Sequence, residues 1–277
     1  MAYFQFNNVN FHYQEMGSGE AIIALHGLSQ HSAYWMDTGV AKALAKNYRV
    51  IALDFRAHGL TTIEGDDKGY DIETMQGDID ALANHLGLDK FHLLGHSTGG
   101  MIAVRYAMSH SDRLLSLMLT NCGSSTNFSN KDAATNAAAM EFLAMSFENF
   151  SWLQIVAGLK MKSGPLFAGV AAAANSADMF DKALALMSAG NGKNIAQFVR
   201  SFYNDPDPKI EGLKSISCPT LIISAELDWY FSEPSKLMAQ HIPNNQHIDG
   251  KAMGHMTALE APHWLAQQLT DFLSTQA

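Results

Sequence analysis

Five short, almost unbroken apolar runs set the strongest limit on what this chain can fold into. They read "AIIAL" (21–25), "YRVIALD" (48–54), "FHLLG" (91–95), "LLSLMLT" (114–120) and "PTLIISA" (219–225). An apolar run of this length without polar alternation is what a strand shows when both of its faces are buried, as in a parallel sheet covered by helices on either side. Helical patterns fill the gaps. Ile72, Met75, Ile79, Leu82 and Leu86 recur at spacings of three and four before Gly87 stops them, which predicts an amphipathic helix. Residues 97–109 and 261–273 have the same character. Strands alternating with helices imply an α/β fold with a mainly parallel sheet and right-handed crossovers. The start of the chain differs: residues 3–15 alternate polar and apolar around "NN", which predicts an antiparallel hairpin at a sheet edge.

The 277 residues suit one large domain, or one domain with an insertion. With 47% hydrophobic and 16% charged residues the chain is globular in composition, neither disordered nor fibrous. A formal charge of -9 and the absence of a dense basic run argue against nucleic acid as a partner, since phosphate backbones call for clustered Lys and Arg. The N-terminal stretch lacks the cationic start and apolar core of a secretory signal, and no segment is apolar enough to span a bilayer, so a cytoplasmic location without a membrane span is expected. Cys122 and Cys218 fall at opposite ends of two expected strands. A five-residue strand is roughly 17 Å long, whereas bridged cysteines need Cα atoms within about 7 Å. Both are therefore expected as free thiols, in keeping with a reducing compartment.

Residues 123–213 break the rhythm. They hold no strand-like run and are rich in Ala, Met and Phe, including Phe142, Met145, Phe147, Phe150, Trp152, Phe167, Met179, Phe180, Met187 and Phe198. The division expected is a core of residues 1–122 and 214–277 and a helical insertion of 123–213. Two readings of the insertion stand side by side: a helical subdomain with its own core, or a lid, because a segment inserted at the C-terminal ends of parallel strands lies beside the place where open α/β sheets bind ligands.

The run "FHLLGHSTGG" (91–100) carries the chemistry. A phosphate loop would need Lys and Ser/Thr after its glycines, but Met101 follows Gly100, and G-x-G-x-x-G is absent. Gly95-His96-Ser97-Thr98-Gly99 fits G-x-S-x-G between a strand and a helix, a turn tight enough to strain the serine and to exclude side chains at its flanks. A serine hydroxyl is a weak nucleophile until a base takes its proton, so a histidine, an orienting acid and an oxyanion site are required elsewhere. Of twelve histidines, His255 in "MGHMTALEAPHWL" stands after the last apolar segment and before the final helix. Asp228 in "PTLIISAELDWYF" directly follows a strand, with Glu226 as the rival acid. The order Ser97, Asp228, His255 is the one this motif calls for. In "LHGLSQHSAYW" the backbone N–H of Leu28 pairs with that of Thr98 as the two oxyanion donors. His26, His96, Phe142, Trp152, Trp229 and Met256 are the candidate pocket residues. His26, His31 and His58 lack the spacing of a zinc site, so no metal and no cofactor is expected.

Five blocks in order, "LHGLSQHSAYW", "DFRAHGLT", "LLGHSTGG", "PTLIISAELD" and "GHMTALEAP", resemble the α/β-hydrolase superfamily, in a serine-nucleophile, esterase- or lactonase-like branch. The resemblance covers nearly the whole chain. It implies an eight-stranded sheet whose second strand is antiparallel, flanked by helices, a helical cap between the sixth and seventh strands, and Ser97, Asp228 and His255 as triad. It gives Arg56 and His58 a structural job in the loop beside the site. Two positions depart from the common pattern: Ala225 stands where many relatives have Gly, and the alternative acid position after the sixth strand is Asn121. Similar epoxide hydrolases and dehalogenases have Asp where Ser97 stands, so acyl transfer is the expected reaction, on a small to medium, largely apolar ester or a lactone. C–C bond hydrolases and cofactor-free haloperoxidases or perhydrolases share the triad, and some proteins of this resemblance act as ligand sensors. The expected partner is a small molecule.

Overall fold

The computed structural model describes residues 2–65, 69–127 and 132–276. Residues 1, 66–68 and 277 of the expected core and 128–131 of the expected insertion lie outside the described residues. The strands are β1 (Ala2–Phe6), β2 (Val9–Gly17), β3 (Ala21–Leu25), β4 (Arg49–Leu53), β5 (Thr62–Ile63), β6 (Phe91–His96), β7 (Leu114–Thr120), β8 (Thr220–Ala225) and β9 (Asn245–Gly250). They form one sheet in the order β1-β2-β4-β3-β6-β7-β8-β9, with the two-residue β5 paired to β2 off that path. β2 is antiparallel to β1 and β4, and every pair from β4-β3 to β8-β9 is parallel. The eight strands of the main path are those the resemblance implies. β3, β6 and β8 are buried along their full length, as their apolar runs require. The hairpin turns at Asn7 (φ 53°) and Asn8, within the expected "NN".

Helices cover both faces. Ile72–His85, Thr98–His110 and Ser232–His241 bury Met75, Ile79, Leu82, Met101, Val104 and Met238 on one side. Val40–Leu44 and Pro262–Ser274 bury Val40, Leu44, Leu265, Leu269 and Phe272 on the other. The first of these begins where expected, with the Asp71 carboxylate accepting a hydrogen bond from the Thr74 N–H, and Gly87 (φ 67°) ends it. Cys122 and Cys218 are both buried and unbridged. Among the described residues no helix is long and apolar enough to cross a membrane.

Between β7 and β8 stand the helices Ala133–Asn149, Trp152–Met161, Ala168–Ala172, Ser176–Met187 and Gly192–Phe202. They pack on one another, and their apolar residues run on into the clusters of the two sheet faces. Met140, Phe147, Ile195, Phe198 and Phe202 continue the apolar cluster of one sheet face, together with Phe55 and Tyr70. Val156, Val170, Phe180 and Met187 continue the cluster of the other, together with Met256 and Leu259. Arg105 fastens the neck, donating through Nε to Ser124 O (2.6 Å) and through Nη2 to Asp205 Oδ2 (2.7 Å) and Asp207 O (3.1 Å).

The strand order reverses around β3, whose neighbours are β4 on one side and β6 on the other. Chains leaving a sheet in opposite directions open a crevice at the carboxyl ends of the strands. Leu25 of β3 lies beside Gly95 of β6 in parallel register, so the loop after β3 and the turn after β6 emerge side by side.

Candidate active site

Ser97 sits between the last residue of β6 and the first residue of the helix Thr98–His110 with φ 51° and ψ -117°, a conformation that non-glycine residues adopt only when their surroundings impose it. Those surroundings are glycines. A Cβ at Gly95 would stand 2.5 Å from Gly99 O, one at Gly99 2.5 Å from His26 O, and one at Gly100 2.5 Å from Cys122 Sγ. The crossing of strand, helix and neighbouring loop is therefore open only to glycine at these three positions.

The Ser97 hydroxyl is 2.9 Å from His255 Nε2, and His255 Nδ1 is 2.8 Å from Asp228 Oδ2. The three side chains form one hydrogen-bonded series; Asp228 and His255 are 1% and 4% exposed, and Ser97 opens most to solvent at 8%. The imidazole lies between Phe231, stacked at 5.1 Å, and His96, at 4.9 Å. Glu226, the rival acid, points elsewhere and accepts from the Ala252 N–H (2.9 Å). Asn121, which cannot replace a carboxylate, serves one: its Nδ2 donates to Asp228 Oδ2 (3.0 Å), and its Oδ1 accepts from Thr257 Oγ1 (2.5 Å). One amide thus links the acid to the loop that carries His255.

The donors opposite Ser97 follow from the backbone count. Ser97 N–H is used by Thr120 O (3.0 Å) and Gly99 N–H by His26 O (3.0 Å), which leaves the Thr98 N–H at the first position of its helix, where helix geometry supplies no acceptor. Facing it, Gly27 N–H is taken by Gln30 Oε1 (2.9 Å), and the next N–H is that of Leu28. Gly27 itself lies against the nucleophile, since a Cβ there would be 3.2 Å from Ser97 Cβ. The Gln30 side chain reaches on to Met256 Sδ (3.2 Å) and so ties this loop to the residue after His255. Tyr203, at the end of Gly192–Phe202, shares a 2.5 Å hydrogen bond between its hydroxyl and Thr98 Oγ1; burial pushes its phenol up, so it stays neutral.

Beneath the loop after β3 lies Asp54. Burial would raise its carboxyl, but hydrogen bonds from His12 (2.7 Å), Leu60 N–H (2.9 Å) and Ser32 N–H (2.6 Å), with His26 nearby, hold it well below the usual carboxylate range. It fastens the loops after β3 and β4 together. Arg56 is locked on Asp78 (2.7 and 3.0 Å), and His58, beside Phe55 and Phe198, is pushed down to about 4 by burial.

The candidate pocket residues divide. His96 and Met256 touch the series of Ser97, Asp228 and His255 or its loop. His26 is spent on structure: its ring stacks on Phe55 at 3.9 Å, Nδ1 meets Gly27 O (2.8 Å), and burial holds it well below its ordinary value. Trp152 donates to Gly190 O (2.9 Å) inside the insertion, beside Phe147. Phe142 and Trp229 are largely exposed. Phe142 is 76% exposed because the helix Ala133–Asn149 turns Asn136, Met140, Ala144 and Phe147 inward and leaves position 142 outside; Trp229 is 73% exposed. Sequence reasoning missed Gln30, Tyr203, Tyr34, whose ring stacks on His96 at 4.5 Å and whose hydroxyl accepts from the Ala258 N–H (3.3 Å), and Glu260, which accepts from the N–H groups of Gly254 and Met256. Only Gln30, Tyr34 and Glu260 lie in blocks that drew attention; Tyr203 has no local signal. Among the described residues no group of three or more His, Cys, Asp or Glu is arranged to hold a metal ion.

Comparison with known proteins agrees with this architecture. The alpha/beta hydrolase fold family matches residues 20–262. A soluble epoxide hydrolase of Corynebacterium sp. (strain C12) is 39% identical over 106 residues, 38% of this chain and 36% of that protein. Matches to curated relatives at such identity extend over only about a third to two fifths of the relatives' length. A thermophilic esterase from Thermogutta terrifontis superposes with a TM-score of 0.80 at 22% identity, covering 97% of this chain and 94% of that one. The enol-lactonase from Burkholderia xenovorans LB400 does so at 0.81 and 18% identity, covering 99% and 100%. At these identities the likeness to the two solved structures is one of fold. With the family match spanning most of the sequence and the sheet order agreeing, the chain belongs to the alpha/beta hydrolase fold family.

Proposed function

We propose that the protein is a serine hydrolase of small to medium, neutral, largely apolar carboxylic esters or lactones, acting through an acyl-enzyme on Ser97. The observation that carries this reading is the series from Ser97 Oγ to His255 Nε2 and from His255 Nδ1 to Asp228 Oδ2, beside the N–H groups of Leu28 and Thr98. His255 Nε2 takes the Ser97 proton as Oγ bonds to the substrate carbonyl carbon. The carbonyl oxygen becomes an oxyanion and accepts hydrogen bonds from the Leu28 and Thr98 N–H groups, each worth roughly 3 to 4 kcal/mol in the barrier. The tetrahedral centre collapses, His255 hands its proton to the leaving alkoxide, and a water activated by His255 then releases the acid and restores the serine. Asp228 keeps the proton on Nδ1 and offsets the imidazolium charge.

The insertion acts as a lid in this reading. Its helices continue both apolar clusters above the carboxyl ends of the strands, so the space they bound favours an apolar acyl or alcohol group. Neutrality of the substrate follows from the cations. The buried ones among the described residues, Arg56 and Arg105, are both committed to carboxylates, Asp78 and Asp205, and neither is left for an anionic substrate such as a C–C hydrolase would take if it recognised a carboxylate. Serine at the nucleophile position sets the chain apart from the epoxide hydrolases and dehalogenases it resembles.

A panel of aryl esters and lactones of graded chain length, assayed on wild type and Ser97→Ala together, tests the reading. Steady turnover of neutral short to medium esters is expected, falling about a millionfold in the variant. Turnover that survives Ser97→Ala, or preference for anionic substrates, would contradict it.

A further inference from the structure

The loop carrying His255 is held by a carboxylate outside the series of Ser97, His255 and Asp228. Glu260 Oε2 accepts from the Gly254 N–H (2.5 Å) and Oε1 from the Met256 N–H (3.0 Å), the residues immediately before and after His255. Against this carboxylate lies the insertion helix Ala168–Ala172. A Cβ on Gly169 would fall on Glu260 Oε2 and stand 2.6 Å from Gly254 N, and a Cβ on Gly254 would stand 2.8 Å from Gly169 N. Two glycine backbones therefore meet with the carboxylate between them, a contact that no other residue at either position permits. Val170, next to Gly169, belongs to the same apolar cluster as Met256 and Leu259.

We propose that Glu260 is a positioning residue for His255, and that the backbone of Gly169, from the insertion, seats it there. The proposal rests on His255 being the base of the reaction proposed above. Its two oxygens hold the N–H of the residue on each side of His255, so the peptide planes 253–254 and 255–256 are pinned around it and with them the direction of its Cα–Cβ bond toward Ser97. A glutamine has the same volume but one acceptor oxygen, and its amide group would turn a donor against a donor. Burial pushes the Glu260 carboxyl up, against the pull of the Gly254 and Met256 N–H groups and of His255, with Asp228 adding to the rise.

The test compares wild type, Glu260→Gln, Gly169→Ala and the double variant. The serines are first counted by the burst of 4-nitrophenol from a 4-nitrophenyl ester, so that misfolded molecules do not enter the rate. Per titrated serine, kcat is expected to fall about ten- to a hundredfold in Glu260→Gln, the range produced by misplacing a catalytic group by up to about 1 Å, with KM within about threefold of wild type. Gly169→Ala should show the same split, and the double variant should lose little more than the worse single one, because both act through one contact. Unchanged kcat per titrated serine in Glu260→Gln, with Ser97→Ala inactive, would overturn the role of Glu260 alone. Full turnover by Ser97→Ala would remove the underlying reading and this proposal with it.

Discussion

At the scale of single residues, the site is built by what is left out as much as by what is present. Gly99 is the clearest case, because the atoms a methyl group would meet are backbone, His26 O at 2.5 Å and Leu25 O at 2.6 Å, and these cannot rotate away. Gly99→Ala is expected to destabilise the fold by about 3 kcal/mol, the upper range for forcing an extra methyl into a packed interior, read as a fall in the urea midpoint with unchanged slope. An unchanged midpoint would mean that the helix and the loop after β3 are less tightly apposed than their atoms indicate. Asn121 gives a second test. It donates to the Asp228 oxygen that also receives His255, while Asp228 Oδ1 finds no partner among the described residues, so Asn121→Ala strips a buried carboxylate of one of its two hydrogen bonds. A loss of one charge-assisted bond is worth about 1.5 to 3 kcal/mol, and kcat is expected to drop by about one to two decades with little change in KM. Equal kcat in the two proteins would show that Asp228 is held without it.

Among elements, the informative contact is the one between the insertion and the loop after β4. Phe198 projects from Gly192–Phe202 onto Phe55 (5.9 Å), His58 (5.1 Å, perpendicular) and Tyr70 (5.8 Å). Truncating a buried phenylalanine costs about 3 to 5 kcal/mol, so Phe198→Ala is expected to loosen the insertion and raise proteolytic cleavage within residues 133–202 ahead of the strands. Simultaneous cleavage of both would contradict the anchoring role. The same region marks the boundary of what sequence could tell. The central strands were legible because their burial on both faces removes polar residues, and the helices Ile72–His85, Thr98–His110 and Pro262–Ser274 were legible from period and stop signals. β9 was not: Asn245–Gly250 is an edge strand, half exposed, and "NQHIDG" follows neither a strand nor a helix pattern. Which side of each insertion helix faces the sheet was equally hidden, because "AATNAAAMEFLAMSFEN" is apolar on every face, so the pattern did not announce that Phe142 is exposed. For the site itself, order along the chain sufficed to place Ser97, Asp228 and His255 in one series, since each follows a strand of fixed register. Tyr203 reaches it through tertiary packing that no local pattern announces, whereas Glu260 lies in the "GHMTALEAP" block and bonds residues four and six positions away.

The whole molecule carries a pH dependence written in its buried histidines. His58 is held at about 4 against an ordinary 6.5, first by burial, so the folded state keeps it neutral where the unfolded chain would take a proton. Above pH 6.5 neither state is protonated and the group is silent; as pH falls from 6.5 to about 4 the unfolded state gains, to a total of about 3 kcal/mol. His26 and His96, also lowered by burial, act in the same direction, whereas Glu260, raised by burial, opposes them over the range just above its ordinary value. Stability is expected to decline between pH 6.5 and 4, and His58→Asn, which keeps a donor for Arg56 O, should flatten that decline in urea titrations; an equally steep decline would move the cause elsewhere. The proposed chemistry turns on one oxygen, Ser97 Oγ. Intact-mass and peptide mapping after incubation with a 4-nitrophenyl alkylphosphonate should show one phosphonyl group per chain, on Ser97, with activity lost in proportion and no adduct in Ser97→Ala. Full activity with Ser97 unmodified at saturating reagent, or inactivation with the adduct on another residue, would contradict it.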